Sequence, residues 1–203
     1  MIHPHTEIRF INDQKGHGVV ATQFIPAGTI TWALDKLDRE FSPAEFKKLD
    51  PLYQHILDTY TYRNKNGNMV LCWDNGRFVN HSFKSNCLST AYDFEIAIRD
   101  IHPGEELTDD YGYLNVTTPF EGIDEGTSRK VVYPDDLLNY SDIWDKQLLE
   151  VFPNITEVNQ PLKNLVSEEV WLKIERIISG DAKMASIAEN YYQPKGSKKS
   201  AKA

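Results

Sequence analysis

Residues 77–87 read Arg-Phe-Val-Asn-His-Ser-Phe-Lys-Ser-Asn-Cys, and residues 104–113 read Gly-Glu-Glu-Leu-Thr-Asp-Asp-Tyr-Gly-Tyr. These two stretches decide the fold, because each joins polar and aromatic side chains to short apolar runs between β-rich segments. Loops of this composition on a β scaffold usually recognise a ligand. Tyr111 is the residue that packing explains least, since two aspartates precede it and carboxylates are costly to bury.

The other polar residues of these stretches also have an ordinary interpretation. Asn80 and Ser82 are of the types that cap local backbone groups in turns. Glu105 and Glu106 follow a Pro-Gly turn and are predicted to be solvent-exposed charges. His81 beside Ser82 raises the question of a hydrolytic triad, but the sequence has no Gly-x-Ser-x-Gly elbow.

The composition bounds the class of protein. A chain of 203 residues, 40% of them hydrophobic, fits one domain with an appendage. The net charge of -8 argues against direct nucleic-acid binding and is compatible with a basic protein partner, although solubility alone also explains it. Because no leader pattern and no membrane-length apolar run occurs, we expect a soluble cytoplasmic protein with no membrane partner.

Cys72 and Cys87 are the two cysteines of the chain. One disulfide between them is arithmetically allowed, but the sequence has no disulfide framework. Two cysteines exclude a four-thiolate zinc site, and no Cys/His cluster has the usual ligand spacing. We therefore predict that the chain holds no metal.

Up to Tyr113 the sequence predicts short strands and turns, without the long helical crossovers that a parallel sheet requires. Residues 12–18 are rich in turn formers, and Asn66-Gly67 indicates a hairpin. Ser42 begins a capping box with Pro at the first helical position, which favours a short helix. The expected strands are residues 8–11, 19–24, 29–32, 59–63, 69–73 and 94–99, the last of them half-buried, and the expected helices are residues 43–49 and 51–57.

After Tyr113 the composition changes, and the fold class is predicted to be mainly β with appended α. Residues 114–134 are expected to form a connecting loop between a domain of residues 1–113 and a helical C-terminal region of residues 135–192. Residues 193–203 are expected to be a disordered Lys-rich tail. Helices are predicted from Ser141 or Asp142 to about Glu150, from Ser167 to Ile178 with a Trp/Ile stripe that packs on the β domain, and from Asp181 to about Tyr192.

The third informative segment is residues 15–21, Lys-Gly-His-Gly-Val-Val-Ala, which places two glycines where a backbone can approach a ligand closely. Taken jointly with the Asn-His-Ser of residues 80–82 and the Glu-Leu-Thr-Asp-Asp-Tyr of residues 106–111, it resembles the motif set of the SET-domain family of protein-lysine methyltransferases. Each motif alone is weak or moderate, but the ordered triplet is specific. The resemblance covers roughly residues 6–113.

The resemblance implies a SET-type fold of several short β-sheets with a pseudoknot, in which the two later motifs meet. It implies S-adenosylmethionine as the cofactor and a protein substrate with an accessible lysine. Carried over by position, the backbone of Gly16, His17 and Gly18 would contact the methionine part of the cofactor. The Asn80 side chain would meet the amino end of the cofactor, and the His81 backbone would meet the adenine.

The resemblance also assigns the residues of the reaction itself. Tyr111 would be the catalytic tyrosine, in contact with the cofactor beside its methyl group. Tyr113 would be a wall of the substrate channel. Asp109 stands in this channel where many family members have an aromatic residue, and a carboxylate there would hold the substrate lysine protonated.

Phe83 marks a second departure from the family pattern. Many members have a zinc-ligating Cys at this position, and here no downstream Cys cluster follows either. The site must therefore be closed in another way, and we expect Tyr133, Trp144 or Phe152 to cover the cofactor. Two alternatives to a methyltransferase stay open: a catalytically lapsed SET-like module that binds a peptide or protein, and a hydrolase that uses Ser82 and His81.

Overall fold

The computed structural model describes residues 1–193, so all but the first residue of the Lys-rich tail lies outside the described part of the chain. The strands are β1 (Thr6–Asn12), β2 (Gly16–Ala21), β3 (Ile30–Ala33), β4 (Arg39–Phe41), β5 (Thr61–Arg63), β6 (Met69–Leu71), β7 (Asn80–His81), β8 (Cys87–Ser89), β9 (Phe94–Ala97), β10 (Thr108–Asp109), β11 (Phe120–Glu121) and β12 (Val131–Val132). The helices are α1 (Pro43–Phe46), α2 (Pro51–Tyr60), α3 (Asp136–Asn139), α4 (Ser141–Val151) and α5 (Glu168–Ile178), and short 3-10 helices lie at Asn75–Phe78, Tyr111–Tyr113, Phe152–Thr156, Lys163–Leu165 and Ile187–Asn190. The predicted class, mainly β with appended α, is confirmed.

Within residues 1–193 the strands form five small sheets. Two sheets have three strands, in the orders β3-β9-β8 and β4-β6-β5, and two are the hairpins β1-β2 and β11-β12. The fifth sheet is a parallel pair in which Thr108 of β10 lies opposite Asn80 of β7 and Asp109 lies opposite His81. The β8-β9 hairpin lies between these two strands in the sequence, so the parallel pairing is reached without a helical crossover. This pair joins the two stretches that the sequence singled out.

The local signals of the first half are confirmed. Ser42 Oγ accepts a hydrogen bond from Glu45 N at 3.3 Å, and the Glu45 carboxylate accepts one from Ser42 N at 2.8 Å, which is the capping box of α1. Pro51 begins α2, which ends at Tyr60, three residues later than expected. Gly67 has a φ of +82° in the turn between β5 and β6, a conformation that favours glycine.

The largest apolar core lies between the β3-β9-β8 sheet and the C-terminal helices. Its fully buried members come from both halves of the chain, as with Ile30, Leu88 and Phe94 from the sheet and Leu148, Phe152 and Ile174 from the helical region. The expected packing of the α5 stripe is confirmed, since Val170, Trp171, Ile177 and Ile178 pack against this cluster around Ile174. The helical region thus completes the core of the β domain.

Strand β9 was expected to be half-buried, and this expectation is wrong. All four of its residues are buried, including Glu95. The reason is that the sheet is covered on both faces, by the helices on one side and on the other by a second core cluster that contains Ile25, Ala97 and Leu107. A polar residue in the strand therefore does not reach solvent.

Three further boundaries differ from the expectation. The segment of residues 16–18 belongs to β2 and not to a loop, because it pairs with the end of β1. Neither Ser141 nor Asp142 caps α4. The helix begins at Ser141, almost directly after the end of α3, and no side chain caps its first turn. The predicted helix from Asp181 is only a 3-10 turn, since Ala185 N donates to the Tyr92 hydroxyl at 2.7 Å and not to a helical carbonyl.

Cys72 and Cys87 are free and buried. Burial raises the pKa of both thiols above the ordinary value, so they are held as neutral thiols. Of the helices in residues 1–193, none combines the length and the apolar character that a membrane span needs.

Candidate active site

Strand β2 approaches the two other motifs so closely that it tolerates no side chain at Gly18. A Cβ atom at Gly18 would lie 2.4 Å from Glu106 Oε1 and 2.8 Å from Asn80 Nδ2. Gly16 has a φ of +72°, which also favours glycine. The glycine segment of residues 16–18 is therefore brought against the Asn-His motif.

Asn80 is the residue that ties these segments together. Its Nδ2 donates to His17 O at 3.0 Å and to Glu106 Oε1 at 2.7 Å. Because both partners are acceptors, the amide orientation is fixed and Oδ1 points the other way. No hydrogen bond from residues 1–193 reaches Oδ1, so a strong acceptor is available beside the glycine segment.

Glu106 was expected to be a solvent-exposed turn charge, and this expectation is wrong. Its side chain is only 14% exposed, and Oε2 accepts from Lys15 Nζ at 2.8 Å. The physical reason is that β10 begins beside β2, with an isolated bridge between Val20 and Glu106. Glu105, by contrast, forms an ion pair with Arg99 at the molecular surface.

The His81 ring is enclosed by aromatic side chains. Its centroid lies 4.5 Å from that of Phe83, 5.4 Å from that of Phe120 and 5.4 Å from that of Tyr111. Nδ1 accepts a hydrogen bond from Tyr111 N at 3.2 Å, which assigns a proton to Nε2 in the neutral ring. Burial lowers the pKa of His81, although the neighbouring Asp110 opposes this shift.

Tyr111 donates its hydroxyl proton to Val79 O at 2.7 Å, next to Asn80 in the chain. Burial, with Asp109 and Glu95 nearby, raises the pKa of Tyr111 above its ordinary value. The side chain is therefore a neutral phenol whose orientation is fixed by the backbone of the Asn-His stretch.

A cavity of about 870 Å³ is lined in part by Tyr111. Its lining also includes Trp32, Tyr62 and Tyr113. Asn80 and His81 are not among the lining residues, but Val79, which accepts the Tyr111 hydrogen bond, is. The cavity therefore borders the cluster around Asn80 at Tyr111 and Val79.

Tyr113 lines the cavity but is also a core residue. It is 2% exposed and packs against Trp144 with ring centroids 5.4 Å apart. Its hydroxyl donates to Cys87 O at 3.2 Å and accepts from Asp110 N at 3.1 Å. The ring is thus held rigidly in the cavity wall.

Asp109 lies in the same wall, buried beside Glu95 from strand β9. Ser89 Oγ donates to Glu95 Oε1 at 2.9 Å, whereas Asp109 Oδ1 has no hydrogen-bond partner in residues 1–193. Burial and the charge of Glu95 raise the pKa of Asp109 well above the ordinary value, and burial raises that of Glu95. Burial of both carboxyl groups and the charge of Glu95 thus favour a proton on Asp109.

The segment of residues 114–134 closes the site, a role that the sequence reasoning did not assign to it. Phe120 contacts the His81 ring, and the Glu125 carboxylate accepts from Ser82 Oγ at 2.8 Å and from Phe83 N at 2.7 Å. The segment contains the β11-β12 hairpin and is more than a connection. Its Phe, Glu and Arg have no motif spacing, so no local signal could have identified them.

Arg129 fixes this segment to the domain. Its guanidinium donates to Asp110 and to Asp136, and it also lies over the rings of Phe83 and Tyr140. In zinc-closed relatives, as the resemblance implied, a Cys would follow the Asn-His-Ser motif. Here Phe83 supplies an aromatic surface for a guanidinium at that position. In residues 1–193 no group of three or more His, Cys, Asp or Glu side chains could hold a metal.

The three aromatic residues expected to cover the cofactor do not lie at the cavity or at His81. Tyr133 is 47% exposed, while Trp144 and Phe152 are buried in the sheet-helix core. Ser82 and His81 do not form a nucleophile-base pair either, because Ser82 Oγ is bonded to Glu125 and His81 Nδ1 to Tyr111 N. The hydrolase alternative therefore has no geometric support.

Several small sheets joined by a short parallel pair, with the glycine segment, Asn80 and Tyr111 brought together at that pair, define a SET-type fold. The SET-domain family profile matches residues 16–112, just under half of the chain, and identifies this segment as a SET domain. SET domains are a methyltransferase family, generally specific for protein lysine and typically dependent on S-adenosylmethionine. A comparison with curated proteins gave no match.

Proposed function

We propose that this protein transfers a methyl group from S-adenosylmethionine to the side chain of a lysine in a protein substrate. The observation that carries the proposal is the position of Tyr111. Its hydroxyl is bonded to Val79 O, next to Asn80 in the chain, and Tyr111 also lines the aromatic cavity. A fixed hydroxyl at the border between the Asn80 cluster and the cavity suits a reaction in which two partners must be aligned.

The residues on the Asn80 side fit the cofactor. The glycine segment of residues 16–18 leaves the backbone accessible, and Asn80 Oδ1 is free to accept from an amino group. The His81 backbone would meet the adenine, as the resemblance implies. S-adenosylmethionine supplies a methyl group on a positively charged sulfur.

The residues on the cavity side fit a lysine side chain. The walls formed by Trp32, Tyr62 and Tyr111 suit an aliphatic stem and a cationic head. The reference pKa of lysine is about 10.4, so the amine must be deprotonated before it can attack. A desolvating cavity lowers the pKa of an amine and thus favours the neutral form.

Tyr111 orients these partners without adding a charge. Because its pKa is raised, the phenol stays protonated, and its O–H group donates a hydrogen bond to Val79 O. This hydrogen bond holds the hydroxyl in one orientation, as a preorganised dipole.

Incubation with isotope-labelled S-adenosylmethionine and a panel of basic proteins tests the proposal. Mass mapping of the labelled lysines identifies the substrate class, and the panel includes the protein itself because its tail is rich in lysine. We expect label on lysine residues. Absence of labelled lysine across the panel, with S-adenosylmethionine bound, would argue against methyl transfer to protein.

Tyr111→Phe is the first variant to examine. Removing a preorganised hydroxyl is expected to lower the rate of methyl transfer roughly 100-fold, while the affinity for the cofactor changes little. Single-turnover kinetics and calorimetry measure the two quantities. Tyr53→Phe is the matched control, because Tyr53 is 59% exposed on α2. Near-wild-type turnover in Tyr111→Phe would remove Tyr111 from the mechanism.

The second candidate function is a SET-type module that binds a protein without transferring a methyl group. Asp109 favours it, since a carboxylate at the channel can hold an incoming lysine as the ammonium ion. Calorimetry with S-adenosylmethionine separates the two functions. Failure to bind at millimolar cofactor would support the binding module.

A further inference from the structure

Two acidic side chains that line the cavity have no role in the reaction proposed above. Asp109 is 5% exposed and Glu95 is 8% exposed, and both line the cavity beside Tyr111. Neither carboxyl group forms an ion pair within the described residues. Two carboxyl groups buried without a cation are costly, and such a cost usually marks a functional position.

Asp109 also has an unfilled hydrogen-bonding position. Oδ1 is buried and has no partner in residues 1–193. Glu95 is better satisfied, because Ser89 Oγ donates to it at 2.9 Å. The unfilled acceptor therefore belongs to the residue that lies two positions before Tyr111 in the sequence.

The aromatic residues of the same cavity suit a cation on an aliphatic chain. Tyr111, Tyr62 and Trp32 all belong to its lining, with Asp109. Aromatic faces attract ammonium groups, and their edges pack against methylene groups. A cavity of about 870 Å³ has room for a lysine side chain and part of the peptide that carries it.

We propose that Asp109 and Glu95 bind the ammonium group of the substrate lysine and accept its proton, so that the lysine meets Tyr111 as a neutral amine. This inference rests on the proposed methyltransferase function and adds a proton acceptor to it. It makes Asp109 and Glu95 catalytic residues that touch the substrate.

The proton balance of this step is simple. The pair begins with one proton and one negative charge, and the ammonium group brings one positive charge. One N–H bond of the ammonium group breaks, its electron pair stays on Nζ, and an O–H bond forms on the pair. The products are two neutral carboxyl groups and a neutral amine. Burial favours these products, because desolvation penalises the charged forms on both sides.

The binding half of the inference can be tested without cofactor or turnover. Calorimetry compares n-butylammonium with its neutral analogue n-butanol, on the full-length protein and on Asp109→Asn. The wild-type protein is expected to prefer the ammonium ion, and Asp109→Asn is expected to lose about tenfold or more of that affinity. Asp93→Asn is the matched control, since Asp93 is exposed at the same cavity and is expected to change the affinity less than about twofold.

Two outcomes overturn the binding half. One is a wild-type protein that does not distinguish n-butylammonium from n-butanol. The other is an Asp109→Asn variant that binds the ammonium ion as well as Asp93→Asn does. Thermal unfolding establishes that the variants are folded, and Glu95→Gln takes the place of Asp109→Asn if the latter does not fold.

The proton-acceptor half is tested by single-turnover methylation of a mapped lysine. Asp109→Asn is expected to slow transfer about tenfold or more while its affinity for S-adenosylmethionine stays at the wild-type value. If the wild-type protein transfers methyl groups and Asp109→Asn does so equally fast, the acceptor role is wrong and the methyltransferase function stands. If the wild-type protein transfers none, the methyltransferase function is wrong, the acceptor role falls with it, and the calorimetry alone decides whether the cavity is an ammonium site.

Discussion

At the scale of single residues, the role that the structure supports for Asp109 differs from the role expected from the sequence. Alone in a channel, a carboxylate would hold an incoming lysine as the ammonium ion. Buried beside Glu95, it favours its protonated form, so the pair carries less charge than two separate carboxylates would. Such a pair can take up a second proton, which a solvated aspartate at neutral pH does not readily do.

The raised pKa of Asp109 predicts how its contribution to stability depends on pH. A carboxyl group whose pKa is higher in the folded than in the unfolded state stabilises the fold most below its unfolded pKa. That contribution is lost as the pH rises through the folded pKa. Asp109→Asn is neutral at every pH, so its unfolding temperature should rise relative to wild type as the pH increases above about 4.

Thermal unfolding at several pH values measures this difference. Asp93→Asn serves as the control for the chemical change itself, because the Asp93 carboxylate is exposed. A constant difference for Asp109→Asn would show that its carboxyl group titrates in the same way in the folded and the unfolded chain.

The sequence could predict some residues of the candidate site but not others. Asn80, His81 and Tyr111 lie in short motifs whose residue types and order already suggest a site. Phe120 and Arg129 have no such local pattern, because their roles come from contacts with residues more than eighteen positions away. Glu95 was not predicted as a site residue for a similar reason, since the alternation of residues along the strand placed its side chain toward solvent.

At the scale of elements, the segment of residues 114–134 depends on one buried cation. The Arg129 side chain is 12% exposed, and its partners Asp110 and Asp136 have side chains 5% and 2% exposed. Removing one partner of a buried ion pair leaves an uncompensated charge, and here two carboxylates would lose the same cation. The closing segment should therefore be sensitive to this single side chain.

Arg129→Met is expected to lower the free energy of unfolding by about 3–5 kcal/mol. Lys130→Met is the matched control, because Lys130 pairs with Asp124 at the surface and should change stability by less than about 1 kcal/mol. Urea unfolding measures both variants. Equal effects of the two substitutions would show that the Arg129 contacts do not stabilise the segment.

The short elements themselves were only partly predictable. α1, α2 and α5 carry capping residues or a first-turn proline, and all three were found close to their expected positions. β7 and β10 have two residues each and form only because distant parts of the chain meet. No periodicity exists in two residues, so the residue pattern did not predict these strands, and only the resemblance implied that their motifs meet.

At the scale of the whole molecule, the β domain and the helical region share one core. Ile174 of α5 is fully buried in the cluster that also contains Phe94 and Ile96 of β9. Ile174→Ala is therefore expected to lower the free energy of unfolding of the whole molecule by about 2–5 kcal/mol. The control is Leu172→Ala on the same helix, which is 53% exposed and should change stability by less than about 1 kcal/mol.

Calorimetric unfolding of these variants also tests the domain division drawn from the sequence. A shared core predicts one transition that moves as a whole in Ile174→Ala. Two transitions, with only one of them shifted, would mean that residues 135–192 unfold separately from the β domain.

The burial of both cysteines has a practical consequence for following ligand binding. Thiolates react with maleimides, and Cys72 and Cys87 are buried neutral thiols that present little thiolate. A cysteine introduced by Lys65→Cys, at an exposed position on the rim of the cavity, should therefore react far faster than the two native ones. One fluorophore attached there would report, by its change in emission, when the cavity fills and when it empties.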